Sequence, residues 1–274
     1  MGSAVADRLG AFRALTRIIV PSRGPRLGSA AAVLALAALV SAMVNLDVAV
    51  MVAVPVALGA ARREHLSAGR LVAAVALTAN AASFLLPTSN ITNLLLLHRL
   101  SLSTAAYLSK SWLPWLLVTA LTVGCLALWI GNGTGGAATE VRARPSVRAL
   151  TDLMPTFLIA SGTRALLGAG LEFHGSFASQ LAEGTALASV ANNLPAAAAI
   201  LPVTTTAFWA AILATTIGPN LLITGSVATL ISRRIARDGG ARLSALRFSA
   251  AGLVLVPVQL AAAALGLHLT GALT

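Results

Sequence analysis

The sequence predicts an all-α polytopic membrane protein built from two inverted halves, each with a re-entrant hairpin and an interrupted helix. Three observations carry this expectation. Seven apolar runs alternate with short arginine-bearing loops in a chain that is 57% hydrophobic and 10% charged, where soluble domains carry about 25% charged residues. Two of the runs hold polar residues at their centres, "MVNLDVAV" (43–50) and "VANNLPAA" (190–197). Short motifs also recur in the same order in the two halves.

The elements follow in chain order. The basic segment 1–27 carries five arginines, and "RLGAFRALTRIIV" puts Leu9, Phe12, Leu15 and Ile19 on one helical face with Arg8, Arg13 and Arg17 elsewhere. That pattern predicts a helix lying on the membrane surface. The apolar runs are 28–60, 71–97, 111–131, 153–171, 178–204, 207–231 and 248–270. A spanning helix needs about 20 residues, so five of them span once. The run 28–60 is flanked by basic segments at both ends, three arginines lying in 60–70. Folding it back as a hairpin keeps both flanks on the cytoplasmic face. Run 71–97 then crosses out and 111–131 returns to a cytoplasmic linker, 132–152. Run 153–171 crosses out, the hairpin 178–204 opens to the outside, 207–231 crosses in, and 248–270 leaves. This threading places sixteen of the nineteen basic residues inside, as the positive-inside rule requires. It predicts an inner-membrane protein with a cytoplasmic N-terminus. The formal charge of +11 is thereby accounted for without nucleic acid.

The two halves pair by motif. "NLDVAVMVAVP" (45–55) parallels "NLPAAAAILP" (193–202), "LLPTSNITNL" (85–94) parallels "LLITGSVATL" (221–230), and "LSTAAY" (102–107) parallels "LSALRF" (243–248). Inverted repeats with interrupted helices meeting near the midplane are the architecture of many secondary transporters. The polar residues in the apolar runs then face a site and not lipid.

Four polar stretches are expected to converge there. Asn45 and Asp47 mark the first hairpin tip. An aspartate at a helix centre costs about 2.5–3.5 kcal/mol on insertion scales, so Asp47 must be protonated, paired with a cation, or held by helix N-terminal amides. An ion or proton site and a plain cap for the helix starting at Val48 are compatible readings. In "NAASFLLPTSNITN" (80–93), Pro87 interrupts the helix and Thr88, Ser89, Asn90 and Asn93 follow. Asn192 and Asn193, before Pro195, form the third stretch. In "IGPNLLITGSVATL" (217–230), Gly218–Pro219 breaks the helix, and Asn220, Thr224, Gly225, Ser226 and Thr229 supply the counterpart of 88–93. Freed carbonyls and the amides of a new N-terminus suit cations and anions respectively.

Other chemistry finds little support. There is no G-x-S-x-G, H-E-x-x-H or phosphate-cradling glycine loop, so no catalytic residues, enzyme activity or cofactor are expected. The lone Cys125 excludes a multi-thiolate metal site, and the four histidines are not paired at metal-ligand spacing. Arg164, within run 153–171, is expected to snorkel or to pair with Asp152 or Glu172, ahead of pairing with a substrate.

"NLDVAVMVAVPVAL", "ANAASFLLPTSNITNLL", "NNLPAAAAILP" and "IGPNLLITGSVATLISRR" resemble the arsenical pump membrane protein family. That family belongs to the ion transporter superfamily, beside Na+/H+ antiporters and citrate/dicarboxylate permeases. The resemblance covers 28–130 and 153–270. It implies two inverted transport halves (28–131 and 153–274), a homodimer, and export of arsenite by proton antiport, in some members with an ATPase partner. It also implies a shortened chain, without the first helices of the first half. The expected function is a permease for a small inorganic ion, arsenite first, coupled to protons through Asp47. A carboxylate or Na+-coupled anion permease is the second reading, and a truncated, non-transporting membrane subunit the third. With one cysteine, arsenite would be held by hydrogen bonds from Asn45, Ser89, Asn90, Asn193 and Ser226.

Overall fold

The computed structural model describes residues 11–19, 26–100, 102–131 and 170–273, and these are almost entirely helical. The expected linker 132–152 and nearly all of the helix 153–171, with Arg164, lie outside the described residues. So does the start of the N-terminal segment, of which α1 (Ala11–Ile19) is described.

Run 28–60 is two helices, α2 (Arg26–Met43) and α3 (Leu46–Arg63), joined at Val44–Asn45 and packed along their length. Arg26 and Arg63 therefore lie at the same end of the hairpin. Helix α1 rests on α3, its Thr16 hydroxyl filling the space a side chain at Gly59 would take. Helix α4 (Ala68–Ala81) is followed by a 3-10 turn (Pro87–Ser89) and α5 (Ile91–Leu97). The long α6 (Thr104–Gly131) closes the first half. The second half repeats this order. Helices α7 (Phe177–Ala191) and α8 (Asn193–Ala199) form a hairpin, and α9 (Thr205–Thr216) is interrupted by a 3-10 turn (Gly218–Leu221) before α10 (Val227–Asp238). Helix α11 (Ala245–Leu269) matches α6. The only strands among the described residues are β1 (Leu171–Glu172) and β2 (Ile200–Leu201), paired in parallel, so the second hairpin's return arm is helical for seven residues and then extended.

Helices α4 and α9 are apolar and buried on nearly all sides, the mark of a central helix. The halves interlock: α10 packs on α3 and α4, while α5 packs on α8 and α9. Alanine lines much of this contact, as expected where helices must approach closely without a hydrophobic drive between them. Helices α6 and α11 run antiparallel along their length. Lys110 Nζ donates to the carbonyls of Thr270 (2.6 Å) and Gly271 (3.1 Å), capping the C-terminus of α11. Pro114 lies against Gly266, and Gln259 donates to the Thr122 hydroxyl (2.7 Å). Equivalent helices of the two halves thus point in opposite directions, as an inverted repeat requires. Helices α2, α6 and α11 are long and apolar enough to cross a bilayer.

One boundary differs from expectation. Helix α4 ends at Ala81, six residues before Pro87. Pro87 instead occupies the first position of the 3-10 turn, where its missing N–H is not needed.

Candidate functional site

Each hairpin tip sits on the helix break of its own half. At the first junction, Asn45 Oδ1 accepts from the Asp47 amide (2.8 Å) and caps α3, while its Nδ2 donates to the Thr88 carbonyl (3.4 Å). Ser89 Oγ donates to the Ala42 carbonyl at the end of α2 (2.6 Å) and accepts from the Leu86 amide (3.0 Å). Asn90 caps α5 through the Thr92 amide (3.1 Å) and donates to the Ser83 hydroxyl (3.2 Å). Asn93 Nδ2 donates to the carbonyls of Ser83 (2.8 Å) and Leu86 (3.4 Å).

The remaining carbonyls freed by the break are taken by α6. Tyr107 donates to Phe84 (3.0 Å), Ser111 to Leu85 (2.7 Å) and Trp115 to Ala82 (3.0 Å). These three side chains are spaced four apart and share one helix face. They explain why α4 stops early: partners outside the helix replace its own hydrogen bonds.

The second junction repeats the first. Asn192 Nδ2 donates to the Thr224 carbonyl (2.8 Å) and its Oδ1 accepts from the Leu194 amide (3.4 Å). The Asn193 amide donates to the Gly225 carbonyl (2.8 Å). Gly225 is required, because a Cβ there would strike the Pro219 carbonyl. Ser189 Oγ donates to the Gly218 carbonyl (2.9 Å). Asn45 and Asn192 therefore do the same work, each bonding the threonine of its own break. This corrects the repeat register by one residue: the sequence match paired Asn45 with Asn193, but the equivalent cap is Asn192. The backbones differ, however. Asn45 is extended (φ −172°), whereas Asn192 has φ 80° and ψ 151°.

A third set of bonds ties the two breaks together. Asn80 Nδ2 donates to Asn220 Oδ1 (3.0 Å) and to the Thr229 hydroxyl (3.1 Å), and Asn220 Nδ2 donates to the Leu77 carbonyl (3.0 Å). Asn80 and Asn220 are both buried.

The polar residues picked out in the sequence thus divide in two. Asn45, Ser89, Asn90, Asn192 and Asn220 spend their side chains on the fold, and Thr88, Thr224, Gly218 and Gly225 serve through backbone carbonyls. Among the expected site residues, Asn93 Oδ1, Asn193 Oδ1 and Ser226 Oγ are buried without a partner; so are Asn80 Oδ1 and Thr92 Oγ1 nearby, and other polar atoms elsewhere in the bundle. The Asp47 carboxylate, in the first turn of α3, has no ion-pair partner among the described residues. Asn80, Ser83, Tyr107, Ser111, Trp115 and Ser189 were not among the expected site residues. The four-residue spacing in α6 was a readable signal for three of them. No cluster of metal-ligating side chains occurs among the described residues.

The family model described as "Citrate transporter" matches residues 1–271. The chain belongs to the citrate transporter family. No curated protein and no solved structure matches it significantly. Membership makes the chain a membrane permease, as the apolar helices and hairpin order suggest. It bears out the ion transporter kinship of the sequence resemblance, through the citrate permeases named beside the arsenical pump family, and gives the arsenical pump family itself no support.

Proposed function

We propose that this protein is a secondary permease for a small carboxylate anion of the citrate class, bound between the two tip-on-break junctions and coupled to a proton or Na+ through Asp47. The observation that carries the reading is that both junctions hold polar atoms buried without a partner, Asn93 Oδ1 at the first and Asn193 Oδ1 and Ser226 Oγ at the second, among others elsewhere in the bundle. A buried polar atom without a partner costs about 1–3 kcal/mol. The two amide oxygens only accept, so a coupling cation, a water or a cargo hydroxyl removes that cost, while the cargo's carboxylates take donors from the helix amides and the Ser226 hydroxyl. Helices α3 (18 residues) and α10 (12 residues) begin at the junctions, so their amide ends supply positive potential for an anion where no basic side chain is needed. Asp47 is the one carboxylate at either tip and is free to take the coupling cation. Arsenite, first in the sequence reading, draws no support from the family match and becomes the second candidate. The proposed orientation keeps the basic ends of the helices, with Arg62, Arg63, Arg233 and Arg234, in the cytoplasm.

The test separates transport from folding. Asn193→Ala and Ser226→Ala remove atoms that bond nothing in the fold, so thermal stability should hold or rise while citrate uptake into reconstituted vesicles falls at least several-fold. Unchanged uptake in both variants would move the cargo site elsewhere.

A further inference from the structure

A groove of about 440 Å³ lies between α6 and α11, where the start of α4 reaches them. Arg70, Trp129 and Arg247 line it together with Cys125, Val254 and Leu255. The Arg70 guanidinium carbon lies 5.9 Å from the centre of the Trp129 ring, a cation–π distance. None of α4, α6 and α11 contains an aspartate or glutamate, so the elements that build the groove offer these arginines no counter-charge. Arg70 and Arg247 lie in the first turns of α4 and α11, close to the basic loop whose Arg242 carbonyl abuts Gly69. The adjoining surface is apolar and exposed at Leu128, Leu253 and Val254, as a lipid-facing wall would be.

We propose that this groove binds an anionic phospholipid, its phosphate between Arg70 and Arg247 and an acyl chain along Val254 and Leu255 beside Cys125. Guanidinium groups pair with phosphate through parallel hydrogen bonds. Tryptophan at the edge of an apolar wall marks the headgroup level. Basic pockets between membrane helices at the cytoplasmic side suit such headgroups. A free phosphate would use the arginines and leave the apolar part empty, so lipid is the occupant that fits both.

Cys125 is the chain's one cysteine and is exposed in the groove, which gives a native reporter. The purified protein is placed in phosphatidylcholine nanodiscs with or without phosphatidylglycerol, and the rate of Cys125 alkylation by neutral N-ethylmaleimide is measured. Retained lipid is counted by native mass spectrometry. Phosphatidylglycerol should slow alkylation and stay bound. The Arg70→Gln/Arg247→Gln pair should weaken retention by about ten-fold or more. Val254→Trp, at an exposed position with both arginines intact, should exclude the lipid by filling the groove. Equal protection by phosphatidylcholine alone, equal protection by inorganic phosphate in detergent, or retention of lipid by both variants would overturn the proposal. Protection that follows protein concentration and ignores lipid would assign the groove to a second copy of the chain and overturn it too.

Discussion

Asn192 and Asn45 make the same two hydrogen bonds, yet only Asn192 sits at φ 80°, ψ 151°. That backbone region is one glycine enters freely and other residues enter at about 1–3 kcal/mol. The second hairpin tip thus holds strain that the first does not, and a pair of substitutions at each tip can expose it. Asn192→Ala removes a neutral hydrogen bond worth about 0.5–1.5 kcal/mol and a cap worth about 0.5–2 kcal/mol, and it keeps the strain. Asn192→Gly loses the same bonds but releases the strain, less about 0.5–1 kcal/mol for glycine's greater freedom when unfolded. The glycine variant should therefore be more stable than the alanine variant by about 1 kcal/mol, within about 0–2.5 kcal/mol, a central gap of about 2–4 °C in midpoint for a chain of this size. At Asn45, already extended, glycine should gain nothing over alanine. Thermal unfolding followed by tryptophan fluorescence, in one detergent for all four variants, measures both differences. Equal midpoints for Asn192→Ala and Asn192→Gly, or a glycine advantage of the same size at Asn45, would refute the assignment of strain to the second tip.

Other substitutions probe the remaining joints. Gly252 of α11 lies directly on the Asn220 carbonyl, so Gly252→Ala should displace the second break and lower the unfolding midpoint, whereas Gly124→Ala, with open space around it, should not. Tyr107→Phe leaves the Phe84 carbonyl without its donor and should cost about 1–3 kcal/mol, read from the same unfolding curves. Asp47→Asn should preserve membrane insertion and citrate binding but abolish the dependence of uptake on an imposed proton or Na+ gradient; gradient-driven uptake by that variant would reduce Asp47 to a member of the helix cap.

Much of this arrangement was legible because bilayer-spanning sequence tolerates few polar residues, so each one is informative. Asn45, Asp47, Asn192 and Asn193 located both tips, and the Gly218–Pro219 break fell where expected. The first break did not, since Pro87 is the strongest local signal and the helix ends earlier for a non-local reason: Tyr107, Ser111 and Trp115 take up its carbonyls from another helix. The repeat register slipped by one because sequence similarity aligned the two Asn-Leu pairs, whereas the chain aligns the two caps. The link of Asn80 to Asn220 joins residues 140 positions apart, and a single sequence carries no trace of that pairing. Ser89 and Asn90 illustrate a further limit. Their polarity marked the first break, but the geometry uses them to hold it, and leaves Asn93, Asn193 and Ser226 with free atoms.

The proposed carboxylate transport can be measured on the protein alone. Its most direct test is uptake by the purified protein in sealed vesicles, with radiolabelled citrate and arsenite offered separately under imposed proton or Na+ gradients. The account predicts saturable, gradient-dependent citrate uptake that unlabelled citrate competes away and arsenite does not. Gradient-driven arsenite movement with no citrate uptake would contradict it.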